Sequence, residues 1–372
     1  MAMPGPCLPK RLRGAAPMLR LLLITSTGVA ASACSTLRYY AHVTHGELGL
    51  LAARMPVAVI IADPAADAKL RARLQQAQAA RAFASDHLAL PRNRSYTSYV
   101  DLGRPYVTWN VFATPEFSVD PVTHCFPFAG CVAYLGFFDR ARAERAEKRF
   151  VEQGDDTAIE GAAAYSTLGW FADPILSSML RWSDDELDGV IFHELAHQQL
   201  YVKGDTAFNE SYASFVQEQG LLEWRAERGL PAPDETRHAH DEAFTRLVLD
   251  LRERLRVLFA KELPVDEMRP AKQREFVDFR LRYARLRDAG WGDDRRYDAW
   301  VAAPINNAKL VPFGLYERWV SAFARLFQDV RGQWAAFHAH VRKLALLPGA
   351  ERERVLAELA ARDAAPHDSV LH

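Results

Sequence analysis

The sequence predicts a mainly helical α+β fold, with a small mixed sheet beside one helix that carries the pair His193 and His197. Three observations lead to it. Apolar residues recur at helical spacing through most of the chain. A block from Ser95 to Phe138 is instead rich in aromatic and β-branched residues, broken by Gly103-Arg104-Pro105 and by Pro115. The length of 372 residues, 49% of them hydrophobic and 25% charged, is enough to bury a full core. The formal net charge is -1 with both signs interspersed, which offers nucleic acid no basic field and leaves a small-molecule or peptide site as the class to look for.

Residues 1–33 read as a signal peptide. Lys10, Arg11, Arg13 and Arg20 precede an apolar run, Leu21 to Val29, that is too short to span a bilayer. Ala31-Ser32-Ala33 fits a signal-peptidase cut and Cys34 follows at once, so the segment is similar to a bacterial lipoprotein signal with Cys34 as the lipidated residue. Simple secretion is the alternative, and Met18 an alternative start. Ser35 after the cysteine matches an outer-membrane sorting pattern, so the expected location is the cell envelope, anchored on the periplasmic side of the outer membrane. An oxidising compartment would let Cys125 and Cys131 form a disulfide. Closing so short a loop stabilises by about 2 kcal/mol, enough to pin a hairpin; two free thiols are the other reading.

Residues 34–360 are expected to form a single domain. From Ser35 to about Leu90 the texture is helical, with Asp63-Pro64 opening a second helix. Tyr96 to Val100, Tyr106 to Phe112 and Val132 to Phe138 read as strands, and Ala141 to Gln153 as a helix stopped by Gly154. Ala163, Ala164 and Tyr165 are candidates for an exposed strand edge against which an extended substrate backbone could pair, an ordinary internal strand being the alternative. Ser183-Asp184-Asp185-Glu186 is a capping box that starts the histidine helix, and Gly204 is expected to stop it. A second helix from Asp205 or Thr206 to Trp224 completes an antiparallel hairpin over 183–226. Charged helices follow over Asp241 to Leu263 and Arg269 to Leu286. One amphipathic helix runs from Phe323 to Ala360, and 361–372 form a frayed tail.

The stretch His193-Glu194-Leu195-Ala196-His197 sets two imidazoles one helical turn apart, with a carboxylate about 100° around the helix from the first. A polar face on an ordinary helix is the plain alternative. The hairpin selects a third ligand. His197 lies seven residues before Gly204 and Glu210 six after it, so the two are level; Glu218, fourteen after, overshoots by several ångströms. Two neutral imidazoles and one carboxylate with a fourth position open are the donor set of a hydrolytic Zn2+ site. In that chemistry Glu194 takes a proton from water and passes it to the leaving amine. Candidates for steadying the oxyanion are Tyr316, Tyr165, His238 and His240. Asn209 and Ser214 flank the third ligand and are expected to orient site groups.

The run HELAHQQLYVKGDTAFNE, from His193 to Glu210 and continuing SYASFV, resembles the bacterial family described as "putative aminopeptidase". That family is zinc-dependent, often lipid-anchored, and similar to thermolysin-like peptidases with a glutamate third ligand. The resemblance extends to CFPFAGCVAY, AYSTLGWFADPILSSML and PINNAKL, most of the mature chain. It implies a zincin-like metallopeptidase fold, Zn2+ on His193, His197 and Glu210, and Glu194 as general base. It also puts Tyr316 first among the oxyanion candidates. The implied partners are a peptide substrate and, through Cys34, a membrane. An endopeptidase or cell-wall amidase stays as an alternative, as does a non-enzymatic envelope lipoprotein with a structural or vestigial metal site.

Overall fold

A computed structural model of the chain describes residues 38–126, 130–232, 234–314 and 318–363. The signal segment, Cys34, Tyr316 and the end of the tail lie outside them. The contacts divide the chain between Ala52 and Ala53. The first unit holds a helix over 38–52 (α1). Among the described residues no helix is long and apolar enough to cross a membrane.

The second unit is mainly helical with small sheets, an α+β architecture. It opens with β1 (Met55–Pro56), α2 (Val57–Ala62) and α3 (Ala68–Asp86). Asp67 caps α3 by accepting the Leu70 N–H at 2.7 Å, so this helix starts after Asp67. At the predicted start, Asp63 instead closes a turn on the Ala65 N–H at 2.9 Å. β2 (Ser98–Val100) pairs antiparallel with β1 and parallel with β8 (Ile175–Leu176), which makes a small mixed sheet. β3 (Thr108–Thr114) is the centre of an antiparallel sheet between β6 (Tyr134–Phe137) and β7 (Asp156–Ala162). β4 (His124–Phe126) and β5 (Gly130–Val132) form a hairpin whose Cys125 and Cys131 are joined by a disulfide.

α4 (Arg140–Gln153) runs from an Asp139 cap to the left-handed Gly154 and lies on the β3–β7 sheet. The same sheet meets the PINNAKL stretch, where Phe112 packs with Ala308 and Val311. Polar bonds lock this contact. Buried Asn307 donates its N–H to Asp156 and its side-chain amide to the Glu116 carbonyl, each at 2.9 Å, and buried Lys272 reaches the same two residues. The motif therefore pins the start of β7 to a long helix, α8 (Val265–Gly290), which pairs with α7 (Glu235–Phe259) around Phe244, Phe276 and Phe279.

α9 (Asp298–Ala302) precedes the final helices. The stretch predicted as one helix from Phe323 to Ala360 is three: α10 (Val320–Asp329), α11 (Trp334–Ala345) and α12 (Gly349–Asp363). Arg331 and Gly332 take left-handed φ of 56° and 71° at the first break, and Pro348 marks the second. In α11 the buried His338 accepts a hydrogen bond from the Tyr212 hydroxyl at Nδ1 and donates from Nε2 to the Leu88 carbonyl, both at 2.9 Å. Burial lowers its pKa to about 4. An unfolded histidine titrates near 6.5, so between pH 6.5 and 4 the unfolded chain binds a proton that the folded one does not, and stability falls with acidification. Urea unfolding of the wild type is expected to lose about 2 kcal/mol through this residue between pH 7 and pH 5. His338→Gln should flatten the profile by that amount, and an unchanged pH slope would contradict the assignment.

Candidate metal centre

The Ser183 hydroxyl accepts the Glu186 N–H at 3.3 Å and the Glu186 carboxylate accepts the Ser183 N–H at 2.8 Å, so the predicted capping box is formed. It starts α5 (Asp184–Gln199), whose buried Leu187, Ile191 and Leu195 face the interior while the helix packs on α3 and on α6 (Thr206–Glu227). α5 ends at Gln199, before the predicted stop, because Leu200 is extended at φ -155°. The connector over 200–205 is clamped by Asn209, which accepts the Val202 N–H at 2.7 Å and donates to the Val202 carbonyl at 2.8 Å. Asn209, expected to orient site groups, thus holds the turn that precedes Glu210. The β4–β5 hairpin lies on this turn. Gly130 sits at φ +80°, and a Cβ there would stand 3.1 Å from the Gly204 nitrogen, so a side chain would be strained and would collide with backbone.

The hairpin brings three donor atoms together. His193 Nε2 and His197 Nε2 are 3.1 Å apart, and Glu210 Oε2 lies 3.3 Å from the first and 3.6 Å from the second. Bonds of about 2.0–2.1 Å at tetrahedral angles place neighbouring ligand atoms about 3.3 Å apart, so the residues fit a zinc-sized ion. No other His, Cys, Asp or Glu joins this group among the described residues. Among the described residues neither buried Nδ1 atom has a hydrogen-bond partner. Packing therefore aims the rings, which meet edge to face at 4.7 Å, with Tyr201 edge-on to His197 at 6.2 Å. Burial alone would raise the Glu210 pKa, but the two imidazoles outweigh it and hold the carboxyl at about 2. For His197 burial opposes the charge, and Glu210 followed by Glu194 overcomes it, so its pKa is raised. Such a pocket favours positive charge.

Residues 38–356 match the family described as "putative aminopeptidase". The chain belongs to that family. Its name points to hydrolysis at peptide amino termini as the class of reaction. No curated protein and no solved structure matches the chain.

Other predicted site residues of this aminopeptidase-family chain are placed elsewhere. β7 ends at Ala162, whose carbonyl accepts the Val107 N–H at 2.8 Å. Ala163, Ala164 and Tyr165 continue as irregular chain, not as an edge strand. The Ala163 carbonyl is taken by the Ser178 hydroxyl, and the backbone then turns through Leu168 and Gly169 at φ 56° and 81°. Tyr165 packs edge-on to Phe138. His240 pairs with Asp294 at 2.9 Å and stacks on Trp291, while His238 pairs with Glu242 at the surface, so neither joins the triad. Ser214 is half-buried one turn beyond Glu210, and Ser211 accepts the Trp319 N–H at 3.0 Å.

Sequence reasoning missed a polar cluster at the end of α5. Buried Asp173 accepts hydrogen bonds from Thr167 Oγ1 at 2.6 Å, Thr167 N at 3.1 Å, Ser166 Oγ at 3.2 Å and Gln198 Nε2 at 3.1 Å. Gln198 in turn accepts from Asn93 Nδ2 at 2.7 Å. Gln198 directly follows His197, so the cluster fastens two loops to the His197 end of the helix. The available signal was Gln198 at i+4 from Glu194, a second polar residue on one helix face. Tyr201 also lies near Glu210; burial and then the Glu210 charge raise its phenol pKa.

Proposed function

We propose that the protein is a zinc-dependent aminopeptidase of the bacterial cell envelope, with a zincin-like catalytic hairpin. The convergence of His193 Nε2, His197 Nε2 and Glu210 Oε2 within 3.1–3.6 Å of one another carries this reading. These three atoms would hold the ion. When bound, zinc lowers the pKa of a coordinated water toward neutrality and polarises the scissile carbonyl. Glu194 is on the same helix about 100° from His193, which leaves its carboxylate free to accept the water proton and return it to the departing amine nitrogen. Tyr201 and Tyr316 are the candidates for donating a hydrogen bond to the oxyanion. The location rests on the signal and Cys34, which would tether the protein by a lipid. The decisive test is hydrolysis of one peptide, with its amino terminus free or blocked, before and after metal removal.

A further inference from the structure

Tyr96 carries two costs that packing alone does not explain. It is 1% exposed and stands at φ +61°, a left-handed backbone uncommon for a large side chain. Neighbours hold it there: its N–H donates to the Asp173 carbonyl and its own carbonyl accepts from Gln78 Nε2, both at 2.6 Å. Among the described residues its buried hydroxyl has no hydrogen-bond partner. Strain and an unsatisfied hydroxyl both lower stability, and a phenylalanine would fill the same space without the second.

The surroundings point to a use. Glu194 and Gln198 are four residues apart on α5 and share one face. Gln198 is bonded to Asp173, the residue that anchors the Tyr96 backbone, and to Asn93, three residues before Tyr96. The Tyr96 backbone is thereby tied to residues bonded to Gln198, one helical turn along α5 from Glu194. After burial itself, the carboxylates of Glu194 and Asp173 act most on the phenol, and all three raise its pKa. Asp173 is already satisfied by Ser166, Thr167 and Gln198.

We propose that Tyr96 is a positioning residue for Glu194: its buried hydroxyl donates to the Glu194 carboxylate in the working site and fixes the direction in which the other oxygen faces. This rests on the reading of Glu194 as the general base. Because the hydroxyl is buried, Tyr96 acts through Glu194 and does not touch substrate.

The test uses zinc-loaded wild type, Tyr96→Phe, Glu194→Gln and the double variant. Tyr96→Phe is expected to keep its zinc and be no less stable to urea, to lower kcat about tenfold to a hundredfold, and to leave KM within about twofold. The effect of Tyr96→Phe on the unfolding equilibrium should differ at least about threefold between the wild-type and Glu194→Gln backgrounds. A residue that only fills space would leave kcat unchanged and give additive stabilities; either result overturns the proposal. If the wild type cleaves no peptide, the peptidase reading fails and the stability cycle alone decides the contact: coupling upholds it and additivity overturns it.

Discussion

Replacing Glu210 with alanine is expected to lower zinc affinity by at least about a hundredfold, since even partners that only orient a ligand account for about ten- to a hundredfold. Glu210 supplies the only carboxylate among the three converging donors, and its negative charge balances the cation. Without it, two imidazole nitrogens 3.1 Å apart face each other across a nearly buried pocket. Metal content after dialysis measures the effect. Glu218→Ala is the control, because that residue is exposed farther along α6 and should leave occupancy unchanged. Equal zinc in wild type and Glu210→Ala would remove Glu210 from the ligand set.

Glu194→Gln is expected to separate binding from chemistry. The amide keeps the size and shape of the side chain but cannot accept the proton, so zinc content should match the wild type while peptide hydrolysis falls about 10²–10⁴-fold. Turnover within a few-fold of wild type would exclude Glu194 as the base. Loss of zinc in the same variant would mean that it acts as a ligand.

The parts of the site legible in the sequence are those encoded by local spacing. Ser183 and Glu186 announce their own capping box, and two histidines four residues apart must share a helix face. The level of Glu210 followed from counting across a hairpin, and it survived the early end of α5 because Asn209 clamps the connector to Val202. β3 and β6 were readable from their aromatic and branched residues. β7 was placed too late because Asp156-Thr-Ala-Ile-Glu-Gly-Ala162 has little strand character of its own; pairing with β3 along its full length imposes the conformation. The breaks between α10, α11 and α12 were hidden by an amphipathic pattern that continues across them, although Gly332 and Pro348 were signals that could have been used. Asp173, Gln198 and Tyr96 lie beyond local reading. Their meeting depends on contacts between residues 25 and 77 positions apart, which no window along the chain contains.

In the proposed reaction an ion held by His193, His197 and Glu210 works with Glu194 to cleave peptides. Its most direct test follows one peptide, with a free or a blocked amino terminus, through stripping of the protein by a chelator and restoration with zinc. Cleavage of the free peptide, its loss on stripping, its return at one zinc per chain and little cleavage of the blocked form are the expected results. Hydrolysis that persists after complete metal removal, or none with one zinc bound, would contradict it.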